Sequence, residues 1–361
     1  MIIKSLELQN FRNYRDLKID FSSGTNILYG LNAQGKTNIL EAIYLCATTK
    51  SHKNSKDKEM ICFGEEEAHI RTLIFKDDME EKIDMHLRSS KSKGIAINNQ
   101  KIKKAAELLG LLNVVLFSPE DLGIIKNGPS ERRRFIDMEL CQLDQFYLYN
   151  LNNYNKIVNQ RNKLIKDLYV NPDLGDTLSI WDSQLVSYGS KIIERRRKFI
   201  QHLNEIIKEI HFKLTGNAEN LMIQYEPDVV EEEYENKLKV NQYKDLKLKQ
   251  TSVGPHRDDF TFIINGNDVR KFGSQGQQRT AALSLKLAEI ELVKKTVKDT
   301  PVLLLDDVLS ELDSNRQNYL LNHIKDIQTI ITCTGLDEFV NNRFEINKIF
   351  QVLNGSIVNE N

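Results

Sequence analysis

Neither sign of charge dominates this chain. Its 50 Lys and Arg stand against 51 Asp and Glu in 361 residues, a formal net charge of −1. No global field advertises a nucleic-acid partner, so any such contact must be a local patch. Nothing approaches the roughly 18 consecutive apolar residues that cross a bilayer, and the opening MIIKSLEL lacks the basic, apolar and small-residue zones of a signal peptide. A cytoplasmic protein with no membrane contact is the expectation. Cysteine is scarce: Cys46, Cys62, Cys141 and Cys333 are widely and irregularly spaced, with no CxxC pair for a metal or redox centre, so reduced core thiols are expected. Repeats and low-complexity linkers are also missing. What is present is 40% hydrophobic content over a length that suits two or three domains, which excludes disorder and a mini-protein scaffold.

Alternation of apolar and polar residues through Ile2–Phe21, then at Ala68–Phe75, Lys82–Leu87 and Gly94–Ile97, predicts a mostly β beginning, with Asn98-Asn99 as a hairpin turn. From Glu120 to about Gln250 the texture becomes helical. Apolar residues recur every three or four positions in Glu131–Tyr149, Leu151–Tyr169 and Leu178–Phe212, with interruptions near Asn171-Pro172 and Thr215-Gly216. Strands return at Phe260–Ile264, Val302–Leu305 and Thr329–Cys333, and Asn354-Gly355 suits a terminal hairpin. The expected fold is therefore α/β, with 1–120 and 250–361 forming one lobe and 121–249 a mainly helical insertion.

The strongest local signal is Gly30-Leu31-Asn32-Ala33-Gln34-Gly35-Lys36-Thr37, which fits G-x-x-x-x-G-K-[ST] without a mismatch. A strand-like stretch precedes it and a helix-like one, Asn38–Ala47, follows. Glycines let backbone amides wrap an anion, Lys36 reaches the β/γ-phosphates, and the Thr37 hydroxyl suits Mg²⁺. These features point to a nucleoside triphosphate.

Val302-Leu303-Leu304-Leu305 is an apolar run ending in Asp306 and Asp307, the pattern of a strand buried on both faces with carboxylates at its exit. Asp306 is the candidate metal ligand and Asp307 the candidate group that orients or deprotonates the attacking water. Gly273-Ser274-Gln275-Gly276-Gln277-Gln278-Arg279 opens a helix at Thr280–Lys294, with hydroxyl and amides that suit either a second anion or a plain N-cap.

The order of these segments, followed by Ser310-Glu311-Leu312-Asp313, resembles the ABC-type ATPase heads of the SMC class. More narrowly it resembles the RecF family of bacterial DNA replication and repair proteins, from end to end. The further residues that carry this are Asn10–Tyr14, Asn38, Leu116–Leu122, Gly128-Pro129 with Arg132–Asp137, and Val253–Asp259. The resemblance implies an ATP-driven, head-to-tail homodimer that grips gapped or duplex DNA without sequence specificity. It also implies RecO- and RecR-like partners and a place in recombinational repair and the SOS response, with weak DNA-stimulated ATPase activity. It assigns Arg12 to the nucleotide, Ser274–Gln278 to a signature facing the partner's γ-phosphate, and Ser310–Asp313 to the D-loop.

Two departures from the wider ABC pattern stand out. Asp307 replaces the usual glutamate, so slow hydrolysis is expected. Phe117–Leu122 holds no glutamine and Ile330–Gly335 no histidine, with Thr332 and Thr334 standing there instead. DNA-contact candidates are Lys53 in Lys50–Lys58, Arg132, Arg133 and Arg134, and Arg195, Arg196 and Arg197 in Lys191–Lys198, each also open to internal ion pairing. The run Glu231–Glu233 with Glu235 is expected to be a solvated linker. An SMC-type chromosome organiser would need a far longer coiled coil than the ~130-residue insertion. A small-molecule P-loop kinase would need no Ser274 segment.

Overall fold

A computed structural model describes residues 1–168, 177–335 and 346–360. The expected interruption at Asn171-Pro172 lies outside them. The chain forms two compact units, Met1–Asp121 with Leu285–Asn361, and Leu122–Ser284.

The first unit contains two six-stranded sheets. One is antiparallel, in the order Tyr14–Asp20, Ile2–Phe11, Glu67–Lys76, Met79–Arg88, Gly94–Ile97, Gln100–Lys101. Alternation places Leu6, Leu8, Ile70, Ile74, Ile83, Met85 and Leu87 on the buried face. The last hairpin turns on Asn98 and Asn99, both left-handed at φ 51° and 68°, as a two-residue turn of this type requires. The other sheet runs Ser356–Glu360, Ile346–Leu353, Thr25–Tyr29, Thr329–Cys333, Val302–Asp306, Val114–Phe117, parallel except for the terminal hairpin. Val302–Asp306 is buried throughout and Thr329–Cys333 up to its last residue, as strands covered on both faces are. The helix Lys36–Thr48 adds Ile39, Leu40, Ile43 and Cys46 to the same core.

The second unit is mainly helical: Pro129–Leu143, Gln145–Asp167, Leu178–Leu214 and Tyr234–Leu248. The continuous helix expected over 131–149 is broken at Asp144, whose extended backbone (φ −138°) lets its carboxylate accept from the amides of Phe146 and Tyr147 and so start a new helix. A strand missed in the sequence, Leu221–Glu226, pairs antiparallel with Asp259–Ile264. That pairing keeps the residues after 250 with the insertion, so the second division falls at Leu285 rather than at 250. The acidic run is solvated as expected, with Glu232, Glu233 and Glu235 exposed, but it is not a linker. It forms a tight turn, Glu231–Glu233, that leads into a helix, and Glu231 is paired with Arg197.

Candidate functional site: a nucleotide pocket at the strand exits

Strand order builds the site. Thr25–Tyr29, which feeds the glycine loop, and Val302–Asp306, which ends in the acids, flank Thr329–Cys333. Parallel register then sets Asp306 opposite Thr332 and Tyr29 opposite Cys333. All three strands deliver their carboxyl ends to one edge, where an open α/β sheet binds its ligand.

The loop is held by glycine geometry at two places. Gly30 has φ 152°, and a Cβ there would meet the Val352 carbonyl at 2.4 Å. Gly35 has φ 116°, and a Cβ there would meet the Asn13 side chain at 2.6 Å. Asn13 donates to the Gln34 carbonyl (2.9 Å) and accepts from Asn38 (2.8 Å). The Gln34 carbonyl also accepts from the Gly355 amide (3.1 Å), and its side chain accepts from the Asn354 amide (2.7 Å). The terminal hairpin therefore clamps the loop, a role that no local pattern announces. Leu31, Asn32 and Ala33 are exposed at the tip.

The Lys36 ammonium donates to the carbonyls of Gly30 (2.7 Å) and Leu31 (3.0 Å), curled inside the loop. The Thr37 and Thr332 hydroxyls each donate to Asp306 Oδ1 at 2.8 Å, and the Asp307 amide donates to the Thr332 hydroxyl at 3.0 Å. Burial pushes the Asp306 carboxyl above the usual range. The two hydroxyls oppose that, while the charge of Asp307 adds to it. A hydroxyl and a carboxylate converging beside an anion-binding loop are the donor set that a hard divalent cation takes. Thr332 thus joins the site through register, where the ABC pattern has a histidine.

Arg12, which the resemblance assigns to the nucleotide, is tied to the helix that follows the loop. Both its Nε and Nη2 grip Glu41 (2.8 and 2.7 Å), and it also donates to the Glu59 carbonyl and the Ser55 hydroxyl. Burial works against the charged form of Glu41, but hydrogen bonds from Arg12 and Ser51 outweigh it and hold the carboxyl below its ordinary range. Arg12 therefore braces the helix behind the loop. Ser310 donates to the Asp307 carbonyl (2.9 Å), and Glu311 and Leu312 lead to Asp313, which caps Ser314–His323 by accepting from Asn315 and Arg316 amides.

In the second unit, Ser274 begins the helix Gln275–Val297. Its amide donates to the Gln277 side chain (2.9 Å) and its hydroxyl accepts from the Gln277 amide (3.2 Å). This is a reciprocal capping box. Gln277 also donates to Glu219 and Gln278 to the Val269 carbonyl, while Gln275 and Gly276 are exposed.

Most of the arginines considered for DNA serve the fold. Arg132 is 2% exposed and grips Asp259 through two nitrogens (2.6 and 2.9 Å). Arg196, also 2% exposed, binds Asp137, Asp258, Tyr147 and the Pro255 carbonyl. Arg133 donates to the Asp258 carbonyl and Arg197 grips Glu231. His256 belongs to the same unit's interior, bonded to the Tyr154 hydroxyl and the Thr251 carbonyl. Arg134 is half-buried, and Lys53 is exposed. Arg195 lies over the half-exposed Phe146 ring at 5.5 Å, with Asp144 at 3.4 Å.

A glycine loop capped by a lysine and a threonine, facing a buried strand that ends in paired acids, defines a P-loop ATPase head of the ABC and SMC kind. The family model described as RecF/RecN/SMC N terminal domain matches residues 2–357. A DNA replication and repair protein RecF of Agathobacter rectalis is 64% identical over 357 residues, 99% of each chain. That of Clostridium botulinum Eklund 17B is 46% identical, covering 99% of this chain and 100% of the other. The solved structure of the recombination mediator protein RecF-ATP in the RecFOR pathway is 38% identical with a TM-score of 0.93, covering 99% of this chain and 96% of that one. A Pyrococcus furiosus Smc head domain, 19% identical over 99% of this chain and 95% of its own, shares the fold at a TM-score of 0.56. The chain belongs to the RecF family of DNA replication and repair proteins.

Proposed function

We propose that this chain is an ATP-operated DNA grip for recombinational repair and replication restart. ATP occupies Gly30–Thr37 of each copy and joins two copies head to tail, with Ser274–Gln278 of each presented to the nucleotide of the other. Thr37 and Asp306 hold Mg²⁺, which when bound supplies positive charge at the β/γ-phosphates. Lys36 leaves its carbonyl partners for the phosphates, and Asp307 orients water, slowly because its side chain is short. The observation that carries this reading is the convergence of Thr37 and Thr332 on one oxygen of Asp306 beside the loop.

Relatives named for DNA repair and for the RecFOR pathway support RecO- and RecR-like partners, and action at single-strand gaps in the cytoplasm is part of the same proposal. For DNA itself, the exposed groups replace the buried arginines. Lys191 lies 5.7 Å from the Phe146 ring and 5.9 Å from that of Tyr188, and Tyr149 packs against Tyr188 at 6.3 Å. With Arg195 these make a cationic and aromatic surface on the helical unit, suited to phosphates and unstacked bases alike.

Lys36→Met tests the nucleotide assignment. Losing a charge-assisted contact worth about 1.5–3 kcal/mol should weaken ATP binding roughly 10- to 100-fold in calorimetry, with an unchanged circular dichroism spectrum. A folded variant with parental affinity would remove the P-loop from the account.

A further inference from the structure

The antiparallel sheet of the first unit carries a cluster that the nucleotide site does not use. In the register of Glu67–Lys76 with Met79–Arg88, His69 stands directly opposite His86 and Glu67 lies two residues before His69 on the same strand. Side chains alternate across a strand, so positions 67, 69 and 86 share the face away from Ala68, Ile70, Met85 and Leu87, which enter the core. The two imidazoles stack with centroids 4.0 Å apart and planes 21° from parallel. His86 Nε2 is 2.7 Å from Glu67 Oε2. One ligand atom from each of the three residues lies within 4.8 Å of the others. Both histidines also line a concavity of about 510 Å³ on this face.

We propose that Glu67, His69 and His86 form a site for a divalent transition-metal ion of the zinc class, separate from the Mg²⁺ of the nucleotide pocket. Two imidazole nitrogens and one carboxylate oxygen are the ligand types that Zn²⁺ and Co²⁺ take, whereas Mg²⁺ and Ca²⁺ take oxygen alone. Zinc–ligand bonds of about 2.0–2.1 Å require tetrahedral donor atoms about 3.3 Å apart, so closure draws in donor atoms that lie within 4.8 Å of one another and turns the stacked rings. Three protein ligands leave a position for water from the concavity. A metal ion held by residues of both strands ties the two strands together.

The test uses untagged, chelator-treated full-length protein titrated with Zn²⁺ by calorimetry and with Co²⁺ by visible absorption. One equivalent should bind with micromolar or tighter affinity, unaffected by millimolar Mg²⁺, and the Co²⁺ bands should report nitrogen and oxygen ligands. His69→Gln and His86→Gln should each weaken binding at least tenfold, and Glu67→Gln, which keeps side-chain size, should weaken it by a similar factor. The three positions lie on the outer face of the sheet, so circular dichroism should show each variant folded. No saturable binding at 100 μM metal overturns the proposal. So does parental affinity in the histidine variants, or thiolate-to-cobalt absorption that places the ion on cysteine.

Discussion

Asp307 departs from the ABC pattern for a reason seated in its backbone. Its φ is 53°, in the left-handed region that aspartate tolerates better than glutamate does. A turn of this φ at the strand end thus favours the shorter acid at the expense of reach. Asp307→Asn keeps that tolerance and removes only the charge. It should retain ATP affinity within a few-fold while turnover falls ~100-fold or more, measured by phosphate release; normal turnover would take Asp307 out of the reaction. Elsewhere in the same unit, burial pushes the Asp121 carboxyl up from 3.8 to about 6. The Lys286 charge, 3.9 Å away, opposes this, while Glu289 and Glu120 add to it. The folded chain therefore holds this proton more tightly than the unfolded chain. The resulting stability is present below about pH 4 and lost as pH rises through about 6. Asp121→Asn should gain on the order of 1–3 kcal/mol relative to the parent between pH 4 and pH 7 in denaturant titrations, and a pH-independent difference would contradict it. Motif residues such as Lys36 and Thr37 were legible because their chemistry is contained in eight consecutive positions. Thr332 was visible only as standing where a histidine is usual, and its bond to Asp306 was not legible, because only the pairing of two distant strands makes it.

At the scale of elements, the helix Leu178–Leu214 separates two uses of charge that look identical in sequence. Arg195, Arg196 and Arg197 are consecutive, yet helical rotation turns Arg196 into the interior, where it meets Asp137 and Asp258, and leaves Arg195 beside Phe146. Basic clusters announce charge, and only the packed helix says which side chain faces water. Arg196→Met leaves two carboxylates without their cation and should lower stability by about 3 kcal/mol or more in thermal or denaturant unfolding. The double substitution Lys191→Ala with Arg195→Ala should leave stability within about 0.5 kcal/mol of the parent. It should weaken duplex binding similarly on unrelated sequences and flatten its salt dependence in anisotropy titrations. An unchanged salt slope would move the DNA contact elsewhere. The Ser274 segment shows a cap and a candidate signature coexisting: its hydroxyl closes the capping box with Gln277, while Gln275 and Gly276 remain exposed at the helix start. The missed strand Leu221–Glu226 had a visible signal, since Leu221, Ile223 and Tyr225 alternate with Met222, Gln224 and Glu226. Its long helical surroundings concealed it.

At the scale of the whole molecule, the first unit is assembled from both ends of the chain. The Met1 ammonium pairs with Asp299, the Ile3 amide donates to Gln328, and Asn354 and Gly355 close on Gln34. The nucleotide loop therefore depends on segments more than 300 residues apart, a dependence that a local motif cannot display. The α/β head with a helical insertion was legible because a glycine loop and an apolar strand ending in acids recur in a fixed order along the chain. The division at Leu285 was not, because the pairing of Asp259–Ile264 with Leu221–Glu226 decides it. The central claim, that ATP joins two copies, is tested most directly by light scattering on the full chain with and without ATP, Mg²⁺ and duplex DNA. The account predicts a mass near 41.8 kDa without nucleotide and close to twice that with ATP, with Lys36→Met and Ser274→Arg each remaining at the lower value. A mass that stays at 41.8 kDa with ATP and DNA present, while calorimetry shows the nucleotide bound, would contradict it.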